Sequence, residues 1–395
     1  MPRARVATVV AVLAIVTAAC SGGGSARAES GAKQPRPETF TGPLDAFYRV
    51  PKPLPRGLPG QLIRVEDLGV RSGARTYRVM YHSLDVRHHD RAVTGVVTVP
   101  TGPAPAGGWP VVSWAHGTTG LASPCAPSRS GTPAPAFGVR GVAVATDYIG
   151  LGPTGERHPY LSGPDEAHSV IDAVRAARAL PGSHAGTRWL AIGHSQGGHA
   201  ALFTNQLAAS YAPELHLLGT VSLAPAAELA GTFGPADQIV PRIVGVMALY
   251  GLAADHPQVK PRDYVSSEVA ARDAVIDTGC LDRITAAFVP IPADSFYRVF
   301  PLDKEPARSV ILANDPGHVA SPSPLLLVSG TADTYVVEAR VDTLMQRLCS
   351  VGQVTQRLDL PGANHGTEVA TATPQITQWF DQRLSGAPSV NSCKH

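Results

Sequence analysis

The stretch Trp189-Leu190-Ala191-Ile192-Gly193-His194-Ser195-Gln196-Gly197 constrains the chain more than any other. Its four leading apolar residues read as a strand buried on both faces, and the segment from about Gln196 to Ser210 reads as a helix. Between them the chain must turn within a few residues, and the glycines flanking Ser195 permit a turn that side chains would block. Such a turn lifts the Ser195 hydroxyl clear of the sheet. It also sets that hydroxyl over a helix N-terminus, whose unpaired N–H groups suit a developing oxyanion.

The rest of the chain fits a sheet of this kind. From Leu62 to Val99, short β-branched runs broken by Gly and Asp read as antiparallel strands at a sheet edge. Trp109–Ala115 and Gly141–Thr146 are then continuous apolar runs, as parallel strands buried on both faces require. Pro164-Asp165-Glu166 opens a helix whose apolar face is Val170, Val174 and Ala177, and Pro181-Gly182 ends it. Strand Leu218–Leu223 follows the helix after Ser195. Later come strand Pro324–Ser329, helix Val337–Leu348, strand Val354–Leu360 and a terminal helix up to about Leu384. Alternating strands and helices predict an α/β fold with a mostly parallel, doubly wound sheet. The span 226–323 is far longer than the roughly 2–6 residues of an ordinary connection, so it is read as an inserted cap. Residues 41–225 and 324–395 then form the core.

The N-terminus reads as an address. Arg3 and Arg5 precede the apolar run Val6–Ala19, which suits a signal peptide over residues 1–19 and is too short to span a bilayer. The run ends Thr17-Ala18-Ala19-Cys20 and meets a Gly/Ser tract, which resembles a bacterial lipoprotein box with Cys20 lipidated. Thr17 stands where such boxes usually have Leu, and plain secretion is the alternative. Residues 20–40 are then a flexible tether, to a membrane if Cys20 is lipidated. Lys plus Arg number 33 against 31 Asp plus Glu, a net charge of +2 with no basic stripe, which excludes nucleic acid as a partner. The four remaining cysteines, Cys125, Cys280, Cys349 and Cys393, suggest two disulfides in an exported chain, with three connectivities open.

A nucleophilic serine needs a base, and the base needs an orienting acid. Asp333 follows strand Pro324–Ser329, and His365 follows strand Val354–Leu360. The order Ser195, Asp333, His365 is that of α/β-hydrolases, and each member lies where a parallel strand ends. Asp315 and Asp359 are the alternative acids. The oxyanion donors are expected at the backbone N–H of Gln196 and in the loop His116-Gly117-Thr118, at Thr118 with Gly117 as the near alternative. Gly150-x-Gly152-x-x-Gly155 matches a dinucleotide fingerprint, but Pro153 and Pro159 interrupt the stretch where its helix should start, and no helix opens until about Pro164. His88-His89-Asp90 reads as a polar loop, and no H-E-x-x-H or C-x-x-C occurs. No cofactor and no metal are expected.

These residues resemble the secretory lipase family of α/β-hydrolases, the lipase A-like group. The resemblance rests on Ser113–Gly120, Ala145–Gly152, His158-Pro159-Tyr160-Leu161, Gly193–Gly198 and Gly330-Thr331-Ala332-Asp333. It implies a helical cap, hydrolysis of acylglycerols or simpler carboxylic esters, and no cofactor. Bridges Cys125–Cys280 and Cys349–Cys393 suit the family pattern. Acyl transfer by the same three residues, a peptidase, and a lipid-binding surface lipoprotein are the competing readings. Within the cap, Ile239 to Leu252 is apolar on nearly every side. One face is expected to meet the cap and the other, with Val244 and Met247, to line a tunnel for an acyl chain.

Overall fold

The computed structural model describes residues 36–153, 155–233 and 239–393. The expected signal peptide, Cys20 and the tether up to residue 35 lie outside the described residues. The sheet contains β1 (Glu38–Thr39), β2 (Leu62–Arg71), β3 (Ala74–Leu84), β4 (Asp90–Pro100) and β5 (Trp109–Ala115). It continues with β6 (Val142–Thr146), β7 (Ala185–His194), β8 (His216–Leu223), β9 (Leu325–Gly330) and β10 (Thr355–Leu360). Their order is β1-β2-β3-β4-β6-β5-β7-β8-β9-β10. Strands β2, β3 and β4 pair antiparallel, and from β6 through β10 every neighbouring pair is parallel.

Helix α1 (Leu44–Phe47) precedes the sheet proper, while α2 (Gly163–Ala179) and α3 (Gln196–Tyr211) flank β7 in sequence. Between β8 and β9 lie α4 (Leu229–Phe233), α5 (Ile239–Asp255), α6 (Ser267–Ala270), α7 (Ala274–Thr278), α8 (Leu281–Phe288) and α9 (Ala307–Ala313). Helices α10 (Glu338–Ser350) and α11 (Glu368–Ser385) complete the chain. Strand β7 shows why its sequence is apolar throughout. Trp189 and Ala191 join the cluster containing Val170, Val174 and Ala177 of α2, whereas Leu190 and Ile192 pack with Trp379 and Phe380 of α11. A period of two therefore buries both sets, one on each face.

Register brings the strand ends together. Ala115 pairs with Gly193, His194 with Leu223, Leu223 with Val328, and Gly330 with Leu360. The loops beginning at His116, Ser195, Thr331 and Pro361 consequently leave one edge of the sheet side by side. Open α/β sheets place their sites at this edge.

The segment between β8 and β9 has an apolar cluster of its own, built on Val246, Met247, Leu249, Phe288 and Phe296 and closed by Leu121, Tyr160 and Leu161. The Cys125–Cys280 disulfide ties it to the loop after β5, where the Leu281 N–H also donates to the Thr119 carbonyl at 2.8 Å. The second disulfide, Cys349–Cys393, holds the C-terminal segment, whose Ser392 N–H donates to Thr355 at the start of β10.

Two expectations need correction. The tether does not extend to residue 40, because Glu38 and Thr39 pair with β2 and Phe40 is buried. Arg64 explains this: it bonds the Glu38 carboxylate at 2.7 Å and the Phe47 carbonyl at 2.7 Å, anchoring residues that composition alone leaves loose. Met247 does not face a tunnel. It is fully buried inside the insertion, and Val240, Pro241 and Val244 are the α5 residues that reach a cavity.

Candidate active site

Ser195 stands between β7 and α3 with φ 60° and ψ −118°, a left-handed backbone that a side chain rarely adopts. Conformations of this kind cost about 1–3 kcal/mol and persist only where the surroundings enforce them. Here backbone packing does so. A Cβ on Gly193 would lie 1.9 Å from the Gly197 carbonyl oxygen, and one on Gly197 would lie 1.9 Å from that of Ala115. The Ser195 N–H donates to Leu223 at 3.0 Å, and its carbonyl accepts from His199 and Ala226, both at 3.1 Å. The turn is thus fixed from three neighbouring elements.

His365 lies between the other two residues. One ring nitrogen, Nε2, is 2.9 Å from Ser195 Oγ, and the other, Nδ1, is 2.7 Å from Asp333 Oδ2. The second oxygen of Asp333 accepts the Tyr335 and Val336 N–H groups at 2.7 and 3.0 Å. Burial pushes the Asp333 carboxyl up, but His365 and these two N–H donors outweigh it and hold it below the ordinary carboxylate range. An ionised Asp333 fixes the Nδ1–H tautomer, leaving Nε2 to accept a proton from Ser195. Of the alternative acids, Asp315 bonds Arg347 and Asp359 bonds Arg357, and neither bonds His365.

The Gln196 N–H, first in α3, and the Gly117 and Thr118 N–H groups have no acceptor among the described residues. Gly117, Thr118, Ser195 and His365 all line one cavity of about 390 Å³, with Tyr160, Val240, Pro241, Val244, Leu281 and Val336 among its other walls. Thr118 is set by a 2.7 Å hydrogen bond between its hydroxyl and that of Tyr160. The Gln196 amide Nε2–H₂ group donates to His158 Nε2 at 2.7 Å and to Glu166 at 2.8 Å. Burial depresses His158 to about 4, so its imidazole is neutral and able to accept. His199 faces two acceptors, Glu166 at 2.6 Å and the Asn314 carbonyl at 2.9 Å. Burial opposes its charge, yet Glu166 prevails and raises the imidazole above its ordinary value.

The first two glycines of the dinucleotide-like run are packed against protein, while Gly155 faces open space. A Cβ at Gly150 would lie 2.5 Å from the His158 backbone, and one at Gly152 would lie 2.1 Å from the Thr94 hydroxyl, so no pyrophosphate has room there. Among the described residues, His194, His365 and Glu368 are the one group with metal-ligand atoms close together. Both nitrogens of His365 are already engaged, so a metal there would displace either the Ser195 or the Asp333 contact.

A profile of the family described as Secretory lipase matches residues 136–392, well over half of the chain. The chain belongs to the secretory lipase family. With membership come export and carboxylic-ester hydrolysis. A secreted triacylglycerol lipase, LIP2 of Malassezia globosa, is 23% identical over 389 residues, covering 89% of this chain and 83% of that one. A probable inactive lipase of Mycobacterium tuberculosis is also 23% identical, over 380 residues that cover 87% of this chain and 82% of it. The crystal structure of Candida antarctica lipase A in its closed state superposes with a TM-score of 0.74 at 18% identity, over 89% of each chain. That likeness is one of fold.

Sequence reasoning on this secretory lipase passed over His194 and Glu368, which pack behind the three bonded residues. The His194 ring lies 4.6 Å from that of His365. Burial, then the neighbouring His365, lowers His194 to about 4. The Glu368 side chain is fully buried, and its Oε1 accepts the Gly330 N–H at 2.6 Å. Burial and then Asp333 push its carboxyl up to about 8. Only its position three residues after His365 hinted at such a place.

A stability slope results from this. The folded protein keeps a Glu368 proton up to about pH 8, whereas an unfolded chain loses it near the ordinary value of 4.5. Stability contributed by Glu368 is therefore complete below about pH 4.5 and lost as pH rises towards about 8. Glu368→Gln keeps the acceptor for Gly330 and removes the titration. Thermal melts between pH 5 and pH 8 should show a shallower decline for the variant than for the parent; equal slopes would exclude a raised Glu368.

Proposed function

We propose that the protein cleaves carboxylic esters through an acyl-enzyme on Ser195. The observation that carries this reading is the unbroken hydrogen-bonded series Asp333–His365–Ser195 at the wall of a largely apolar cavity. Ser195 Oγ attacks the ester carbonyl as His365 Nε2 takes its proton, and ionised Asp333 stabilises the resulting imidazolium. The Gln196 N–H and an N–H from the Gly117-Thr118 turn hold the oxyanion. Each such donor typically matters by about 10²–10³ in rate. His365 then returns the proton to the departing alcohol, and water repeats the sequence on the acyl group.

The insertion, residues 226–323, acts as a cap whose α5 and α8 close the cavity over Ser195. Apolar walls suit an acyl chain at roughly 0.8 kcal/mol per buried CH₂. Triacylglycerol, the substrate class in the name of the Malassezia relative, is thus a reasonable candidate beside simpler esters. Lipidation of Cys20, supported by the small residues before it and the Gly/Ser tract after it, would tether the exported enzyme to a membrane. The mass of the native mature N-terminus decides that point: an unmodified residue beyond Cys20 excludes lipidation.

Ser195→Ala should abolish hydrolysis of p-nitrophenyl esters and covalent labelling by organophosphates. Retained activity with labelling at another serine would overturn the assignment.

Chain-length selectivity separates α5 as wall from α5 as core. Val244→Trp narrows the cavity, so kcat/KM should fall for long acyl chains while acetate and butyrate esters are spared. Met247→Ala, within the insertion, should cost about 2–5 kcal/mol of stability without changing the chain preference. A uniform fall across all esters for Val244→Trp would mean that the cavity does not hold the acyl chain.

A further inference from the structure

Every described residue lining the cavity is uncharged or a histidine except Arg340. Its position is unfavourable for a cation in three ways. It lies in the first turn of α10, where the helix dipole repels positive charge. It is half-buried, and burial pushes its guanidinium below the ordinary value, although a guanidinium stays charged at any physiological pH. Among the described residues no carboxylate pairs with it, since Glu228, the acid whose charge it feels, is bonded to Arg347. A leucine or methionine at this place would line an apolar cavity without any of these costs.

The side chain is nevertheless held in place. Its Nη2 donates to the Gly231 carbonyl of α4 at 2.7 Å, and a Cβ on Gly231 would come within 3.1 Å of Nε. The guanidinium therefore rests close against the backbone of α4. No acceptor among the described residues takes its remaining N–H groups. A tie between α10 and α4 needs only the one bond to Gly231, and the half-buried guanidinium keeps its other donors accessible to a ligand at the cavity.

We propose that Arg340 binds an anionic group, a carboxylate or a phosphate, on the substrate at a distance from the ester bond that Ser195 attacks. The favoured substrates are then esters with an acidic end. Val240, Pro241 and Val244 accommodate the carbon chain, while the planar fork of N–H groups matches either oxyanion. This specificity rests on the hydrolase reading above.

Two substrate pairs distinguish the anions: monoethyl adipate against ethyl hexanoate, and 1-acylglycerol 3-phosphate against the corresponding 1-monoacylglycerol. The wild-type enzyme should favour the acidic member of at least one pair by about tenfold in kcat/KM. Arg340→Gln, which keeps a donor for Gly231, should bring that ratio close to one, and Arg340→Lys should retain part of it. Calorimetry on Ser195→Ala, with and without Arg340→Gln, reads binding of the same ligands apart from catalysis. If neither acidic member is preferred or bound more tightly, or if Arg340→Gln leaves the preference intact, Arg340 has no such role. Hydrolysis of the neutral esters in that case keeps the hydrolase reading. Arg340-dependent binding by an enzyme that hydrolyses none of the four would instead refute the hydrolase and keep the anion site.

Discussion

The site depends on backbone passing against backbone at Gly193 and Gly197. Neither position tolerates a Cβ, because each would drive it into a carbonyl oxygen of a neighbouring segment. That contact lets α3 start directly at the end of β7 and compels the left-handed conformation of Ser195. Everything chemical then has an origin in space: the hydroxyl projects beyond the sheet, and the N–H of Gln196, without an acceptor among the described residues, opens beside it. The register of β5 and β8 on β7, of β9 on β8 and of β10 on β9 supplies the remaining groups, because strands that end together deliver their loops together.

Charge around the three bonded residues is sparse. A carboxylate left ionised beside Asp333 would compete for His365, and a charged imidazole at His194 would repel the imidazolium formed during attack. Burial suppresses both, pushing the Glu368 carboxyl up to about 8 and His194 down to about 4, so that between those values Glu368 is mostly protonated and His194 mostly neutral. Asp333 alone keeps its charge, since it receives His365 and two backbone N–H groups where Glu368 receives one. Two acids within one cluster thus take opposite protonation states from the number of donors each is given.

How much was legible depends on whether a residue's role is local. The parallel strands, the turn at Ser195 and the placing of Asp333 and His365 after strands all express periods and turns written in consecutive residues. The boundary near residue 38 does not, because Glu38 joins the sheet through Arg64, far along the chain. Met247 and Val244 lie three positions apart on a helix apolar all round, so no pattern tells core from cavity wall. The partners of Gln196 come from residues 158 and 166. His158-Pro159-Tyr160-Leu161 marked that place by resemblance but gave no role for it. Glu368 and Arg340 have ordinary helical sequences around them, and only burial gives them meaning.

The insertion and the proposed oxyanion turn are fixed by shared anchors. Cys280 is bonded to Cys125 beyond that turn, and Leu281, a cavity wall, donates to Thr119 directly after it. On the other side, His199 of α3 bonds the Asn314 carbonyl just past α9 and also Glu166, which bonds Gln196. The residues that close the cavity and those that hold the proposed oxyanion donors are therefore linked through two short paths, one through the disulfide and one through buried His199. A displacement of the insertion at either anchor would be felt at a proposed donor N–H, where misplacement of about 1 Å can cost about 10² in rate. Binding in the cavity and chemistry at Ser195 are for this reason expected to vary together when either anchor is loosened, more than the separation of insertion and sheet in the sequence suggests.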